Sequence, residues 1–310
     1  MSTPFNLPWG TDVSAKVVAY NAYGDSQESD IGGGAVIVTY PDPPVNLSEN
    51  VQTRGATQIG LTWDAGSNGG SPIIEYSIYM RVGSGAWSEH VTGVEIDEHI
   101  ITGLTVGGTY QFKLLSRNAF GTSQTFSAQV SILCATVPDP PHSALTQIQY
   151  PNQVVVSWQN PLSDNGSPIT AYKIYFRTHD EHDEFVLEPV LCNGASTLVF
   201  GSRSCTETFE QLMAEPINLV VGDYVHVEVT AINYYGESEK SNIGMGALVQ
   251  TVPDAPRNLE SNVAVTSAGV IGLQWTQGIS NGGTPVIDYK IYYALESESS
   301  FALLIDGVTV

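Results

Sequence analysis

Six consecutive residues, His179-Asp180-Glu181-His182-Asp183-Glu184, have the side chains most suited to chemistry. Imidazoles and carboxylates together are donors for divalent cations. Their spacing argues otherwise, since neither a calcium-loop pattern nor His-x-x-x-His is present, and the run also reads as a solvated hairpin tip. His90, His99, His142 and His226 share no register with it. No Gly-x-Ser-x-Gly elbow, phosphate loop or His-Glu-x-x-His occurs, and the carboxylates are spread over loops. No catalytic, cofactor or metal residue is therefore assigned, and no enzymatic activity is expected. Cys192 and Cys205 enclose a 12-residue stretch. A disulfide there would offset roughly 3 kcal/mol of ordering entropy and favour an oxidising compartment; two free thiols are the alternative. Cys134 occupies an apolar strand position and is expected to be a buried, inert thiol. Asn46-Leu47-Ser48 and Asn165-Gly166-Ser167 fit the N-glycosylation acceptor, so glycans enter as a partner class. Pro168 disfavours use of the second.

The elements that would carry these residues follow from composition and repeats. Of 310 residues, 42% are hydrophobic, which excludes disorder and suffices for two to three domains. Thirty-two acidic against eleven basic residues give −21, which argues against nucleic acid and anionic lipid as partners. No apolar run reaches the roughly 18–20 residues that span a bilayer, so no membrane insertion is expected. Thirty glycines, seventeen prolines and fifteen tyrosines lean towards short strands and turns.

The chain repeats itself. Pro41-Asp42-Pro43-Pro44 returns as Pro138-Asp139-Pro140-Pro141 and as Pro253-Asp254-Ala255-Pro256. Trp63, Trp158 and Trp275 follow these blocks. Each tryptophan precedes a turn ending at Pro72, Pro168 or Pro285, and then a Tyr-x-Ile-Tyr beginning at Tyr76, Tyr172 or Tyr289. Asn-x-aromatic-Gly, beginning at Asn21, Asn118 and Asn233, stands 20 residues before each proline block. Between the markers apolar residues alternate with period two: Ile59, Leu61 and Trp63; Val154, Val156 and Trp158; Ile271, Leu273 and Trp275. Such alternation predicts half-buried strands, and their recurrence between Gly, Pro and Asn predicts an all-β sandwich. Glu207 to Ala214 is the one stretch expected to make a helical turn or two.

These residues resemble the fibronectin type III family, which has immunoglobulin-like β-sandwich modules of about 95 residues. The resemblance implies a core signature of Trp63, Trp158 and Trp275 with Tyr76, Tyr172 and Tyr289. It also implies a tyrosine corner at Leu104, Gly107 and Tyr110 and, one residue shorter, at Leu219, Gly222 and Tyr224. In the first copy, Leu7, Gly10 and Val13 lack the hydroxyl. Such modules serve many functions, so the resemblance is informative about fold alone.

Two copies are complete, 41–137 and 138–252, the latter with about 20 extra residues between Tyr175 and Leu219. Residues 1–40 carry only the closing strands of a module and 253–310 only its opening strands, as split half-domains that together make one repeat. A half-sandwich strands its apolar face and exposes its sheet edges. Two readings stand: subunits completing one another head to tail as a homopolymer, or a window on a longer tandem array whose neighbouring repeats complete it. The expected seam comprises Val17, Asn21 and Tyr23 against Trp275, Tyr289, Tyr292 and Val310. The leading expectation is a non-enzymatic structural protein, a filament or surface fibre, extracellular or at the cell surface, with Pro-rich junctions and an acidic surface. The alternatives are an adhesive or carbohydrate-binding module array in a larger surface or secreted protein, and an intracellular scaffold. Carbohydrate binding would call for an exposed aromatic row, for which only Trp9 and Trp87 lie off the core pattern.

Overall fold

The computed structural model describes residues 6–149, 152–179 and 184–309. Asp180 to Asp183 of the histidine–carboxylate run, and Val310 of the expected seam, lie outside them. The chain divides into two compact units. One takes residues up to Pro138 with the short segments Ser163–Pro168 and Asn233–Gly236; the other takes Asp139–Leu162, Ile169–Ile232 and the residues from Glu237 onward.

In the first unit the alternating runs form two antiparallel sheets. Three strands lie in the order Val45–Glu49, Ile59–Asp64, Glu98–Ile101; four lie in the order Val130–Leu133, Thr109–Asn118, Ile73–Val82, Ser88–Val94. Ile59, Leu61 and Trp63 from one sheet, and Tyr76, Ile78, Phe112 and Leu114 from the other, bury the same core. Trp63 meets Tyr76 edge to face with ring centroids 5.3 Å apart, a contact worth about 0.5–1.5 kcal/mol beyond its buried area. Cys134 is fully buried in this core, and burial pushes its thiol pKa up. Ahead of this sandwich stand a two-stranded sheet, Asp12–Ala15 with Gly32–Val36, and the small hairpin Tyr20–Asn21 with Gly24–Asp25.

The second unit repeats the pattern. His142–Gln149, Gln153–Gln159 and Ser204–Thr208 form one sheet, and Phe185–Leu187, Ala171–Arg177 and Val227–Asn233 the body of the other. Trp158 and Tyr172 pack 5.4 Å apart as their counterparts do. The extra residues fold into two short helices. Thr208 caps Phe209–Leu212 with a full capping box completed by Gln211, within the stretch where a helical turn was expected. Thr197–Ser202 is a further helix that the sequence pattern did not suggest. Its Thr197, Val199 and Gly201 are poor helix formers, and the Ser196 cap with tertiary packing of buried Val199 decides it. Two more two-stranded sheets follow: Arg257–Ser261 with Leu273–Thr276, and Tyr289–Tyr293 with Ala302–Val308.

Candidate functional site

The Asn-x-aromatic-Gly marker proves to be a clamp. Asn118 is 1% exposed. Its Oδ1 accepts hydrogen bonds from the backbone N–H groups of Phe120 and Gly121, which closes a local turn. Its Nδ2 donates to the carbonyls of Thr39 (2.9 Å) and Asn68 (2.8 Å). Thr39 N in turn donates to Gly69 O at 2.8 Å. One side chain thus ties the glycine turn to the peptide that leads into the module. Asn233 does the same with Thr136 O (2.7 Å) and Asp164 O (3.1 Å), while Thr136 N donates to Asn165 O at 3.0 Å. The turn residue under each threonine has a left-handed backbone, with φ of 63° at Gly69, 51° at Asn165 and 71° at Gly282, which explains Gly or Asn there. Thr251 N donates to Gly282 O at 2.9 Å, the receiving half of a third clamp. Asn21 makes the local turn through Tyr23 N, and its Nδ2 donates to no acceptor among the described residues.

The added segment of the second unit holds a bridge and a buried acid. Cys192 and Cys205 are disulfide-bonded, with Cα atoms 5.4 Å apart. Two residues beyond Cys205 on the same inward face stands Glu207, 1% exposed and opposite Val154. In the first unit the corresponding partner of Ile59 is Ile101. A carboxylate therefore occupies the place of a core isoleucine, and neither of its oxygens has a donor among the described residues. Burial, and then the charge of Glu188, pushes the Glu207 pKa up to about 7. Glu188, itself nearly buried, has one oxygen engaged by the N–H groups of Val190 and Leu191. Both acids line a cavity of about 200 Å³ with apolar Leu191, Leu212 and Ile217. Glu207 titrates near neutrality, but among the described residues no His, Cys or Lys lines the cavity to exchange a proton with it. Sequence reading missed this residue; the signal was a charged side chain two positions from a buried cysteine in an alternating strand.

The other expected residues are placed as follows. Trp63, Trp158, Tyr76, Tyr172 and Tyr110 are buried, whereas Trp275 and Tyr289 are half-buried and still meet edge to face at 5.3 Å. Thr105 N donates to the Tyr110 hydroxyl at 2.8 Å, which makes the corner. Tyr224 is a correction. It is 56% exposed, and Val225, the residue at the full corner spacing from Gly222, fills the core in its place. Side chains alternate along an extended strand, so the missing spacer residue turns the tyrosine outward. Asn46 is exposed and bonds Asp64; the Asn165 amide donates to Val137 O. His179 pairs with Asp223 at 2.7 Å. Among the described residues, no three His, Cys, Asp or Glu side chains gather to hold a metal. Arg81 and Lys113 lie 4.7 and 4.4 Å from the ring centroid of Trp87, which occupies that indole, while Trp9 is exposed. Val17, Tyr23 and Tyr292 of the expected seam are exposed.

The Fibronectin type III domain family matches residues 42–132. Protein sidekick-1 of Gallus gallus is 27% identical over 275 residues, covering 82% of this chain. A Tyrosine-protein phosphatase Lar-like protein of Caenorhabditis elegans is 25% identical over 89% of this chain. The Homo sapiens protein named Cell adhesion molecule-related/down-regulated by oncogenes is 27% identical over 46% of it. The chain spans 12% of the length of each of these relatives. A crystal structure of chicken CNTN1 FN1-FN3 domains superposes with a TM-score of 0.38 and 17% identity, covering 76% of this chain and 77% of that one. Residues 42–132 fold as seven antiparallel strands around Trp63, and it is this segment that matches the fibronectin type III domain family.

Proposed function

We propose that this chain is a non-catalytic array of fibronectin type III modules with an adhesive, protein-binding role at a cell surface or outside the cell. The repeated clamp carries the reading: each complete module grips the peptide leading into it through Asn118 or Asn233, a device suited to serial connection. A protein named for cell adhesion is similar over 46% of this chain, which supports an adhesive role here. The Cys192–Cys205 bridge accords with an oxidising compartment. Trp87 is already engaged by two cations, which favours protein over carbohydrate as ligand. No helix among the described residues is long and apolar enough to cross a membrane. Beads coated with the chain should cluster with one another or adhere to cultured cells above albumin-coated beads. Absence of both behaviours would overturn the adhesive reading.

A second reading, the head-to-tail filament of split half-domains at 1–40 and 253–310, draws support from one observation. The two-stranded sheets near either end leave the apolar counterparts of core residues exposed.

A further inference from the structure

We propose that the cavity beside Glu207 and Glu188 in the second module binds a primary alkylammonium group, from a free amine or from a lysine of another protein. The nitrogen would sit at the two carboxylates and the carbon chain along the apolar wall. This goes beyond the array reading and does not depend on it.

Glu207 is the observation that calls for a ligand. It is 1% exposed, stands where the first module has Ile101, and has no donor for either oxygen among the described residues. Burying a carboxylate without a partner is costly, and a donor from outside the chain would offset that cost. Glu188 accepts through one oxygen from the N–H groups of Val190 and Leu191, and its second oxygen has no donor among the described residues. Glu215 adds a third carboxylate on the lining, at an exposed position. Among the described residues no Lys, Arg or His lines the cavity, so nothing there balances the acids.

The walls select the kind of cation. A calcium ion takes roughly six to eight oxygen ligands, and no such group of acids gathers among the described residues. Leu191, Leu212 and Ile217 form much of the remaining wall, against which an alkyl chain loses apolar surface to solvent and a hydrated metal ion does not. The cavity measures about 200 Å³. A water molecule takes about 30 Å³ of liquid, so there is room for a chain of about six heavy atoms, enough for a four-carbon ammonium. Its three N–H donors match the free oxygen of Glu188 and those of Glu207. Contact requires Glu207 to turn about its last torsion, which is broad and weakly restrained in glutamate. Exposed Gln211 and Glu215 on the lining leave the cavity open to entry. Burial first, then the charge of Glu188, brings the Glu207 pKa to about 7, and an alkylammonium pairs with the ionised form. The other titratable groups on the cavity are Glu188 and Glu215.

The test is titration of the full chain with n-butylammonium, read on the methyl NMR signals of Leu191, Leu212 and Ile217. About 0.15 M salt screens loose attraction to the acidic surface. Those methyls should shift saturably, with affinity about tenfold higher at pH 8 than at pH 6, since ionisation of Glu207 rises by about that factor while the amine stays charged. n-Butanol, the same chain without charge, should bind at least about tenfold more weakly at pH 8. Glu207→Gln should weaken n-butylammonium binding at least about tenfold at pH 8 and remove its pH dependence. Glu188→Gln keeps an acceptor for Val190 and Leu191 and should weaken binding while the pH dependence remains. Binding of Nα-acetyl-lysine methylamide as well would identify a protein lysine as the source; binding of n-butylammonium alone would identify a free amine. Shifts that never saturate, equal affinity for n-butanol, or binding indifferent to Glu207→Gln would each overturn the proposal.

Discussion

Replacing Glu207 with isoleucine tests whether a core carboxylate limits the stability of the second module. The residue faces Val154 as Ile101 faces Ile59, is 1% exposed, and has no partner for either oxygen among the described residues. Burial first, then the charge of Glu188, raises its pKa from 4.5 to about 7. The folded chain therefore keeps this proton over a range in which the unfolded chain has released it. By linkage, stability falls as pH rises from the unfolded value through the folded one, and levels off above it. At about 1.4 kcal/mol per pKa unit, a shift of this size removes about 3 kcal/mol between roughly pH 4.5 and pH 8. Isoleucine abolishes that titration, so the stability advantage of Glu207→Ile over the parent should grow by about that amount across the range. The measurement is urea unfolding at several pH values, with pulsed hydrogen–deuterium exchange read on Gln153–Gln159 so that other transitions do not mix in. Glu207→Gln, neutral throughout, should show the same loss of pH dependence at lower overall stability. A constant difference between variant and parent from about pH 5 to 8, or growth in the opposite direction, would refute the reasoning.

Thiol counting under denaturing, non-reducing conditions should find one free thiol per chain, Cys134, and reduction of Cys192–Cys205 should cost the second module roughly 3 kcal/mol. Three thiols before reduction would contradict the bridge. Tyr110→Phe should cost about 1 kcal/mol through the lost acceptor of Thr105 N, whereas Tyr224→Phe, at an exposed site, should leave thermal stability unchanged. Equal losses would restore Tyr224 to the corner. Asn118→Ala removes the amide donor shared by the Thr39 and Asn68 carbonyls and should destabilise the first module by about 2–3 kcal/mol, seen as a lowered urea midpoint.

The strands and their inward faces were legible in the sequence, because period-two alternation is local. Ile59, Leu61 and Trp63 declare a buried face without reference to any other part of the chain. The three-fold recurrence of Trp, Tyr and Asn likewise set out the period of the modules. What the folded chain alone decided depends on partners distant in sequence. Asn118 reads only as a turn residue until its amide is seen to reach carbonyls 79 and 50 positions away. Tyr224 matched a motif by type, yet one spacer residue fewer sends its side chain to solvent, since each step along a strand reverses the face. Glu207 reads as the start of the helical turn at 207–214, whose helix begins only at Phe209. Pairing with Val154 extended the strand through it and turned it inward, so the buried carboxylate came from cross-strand register, which composition and local pattern do not encode.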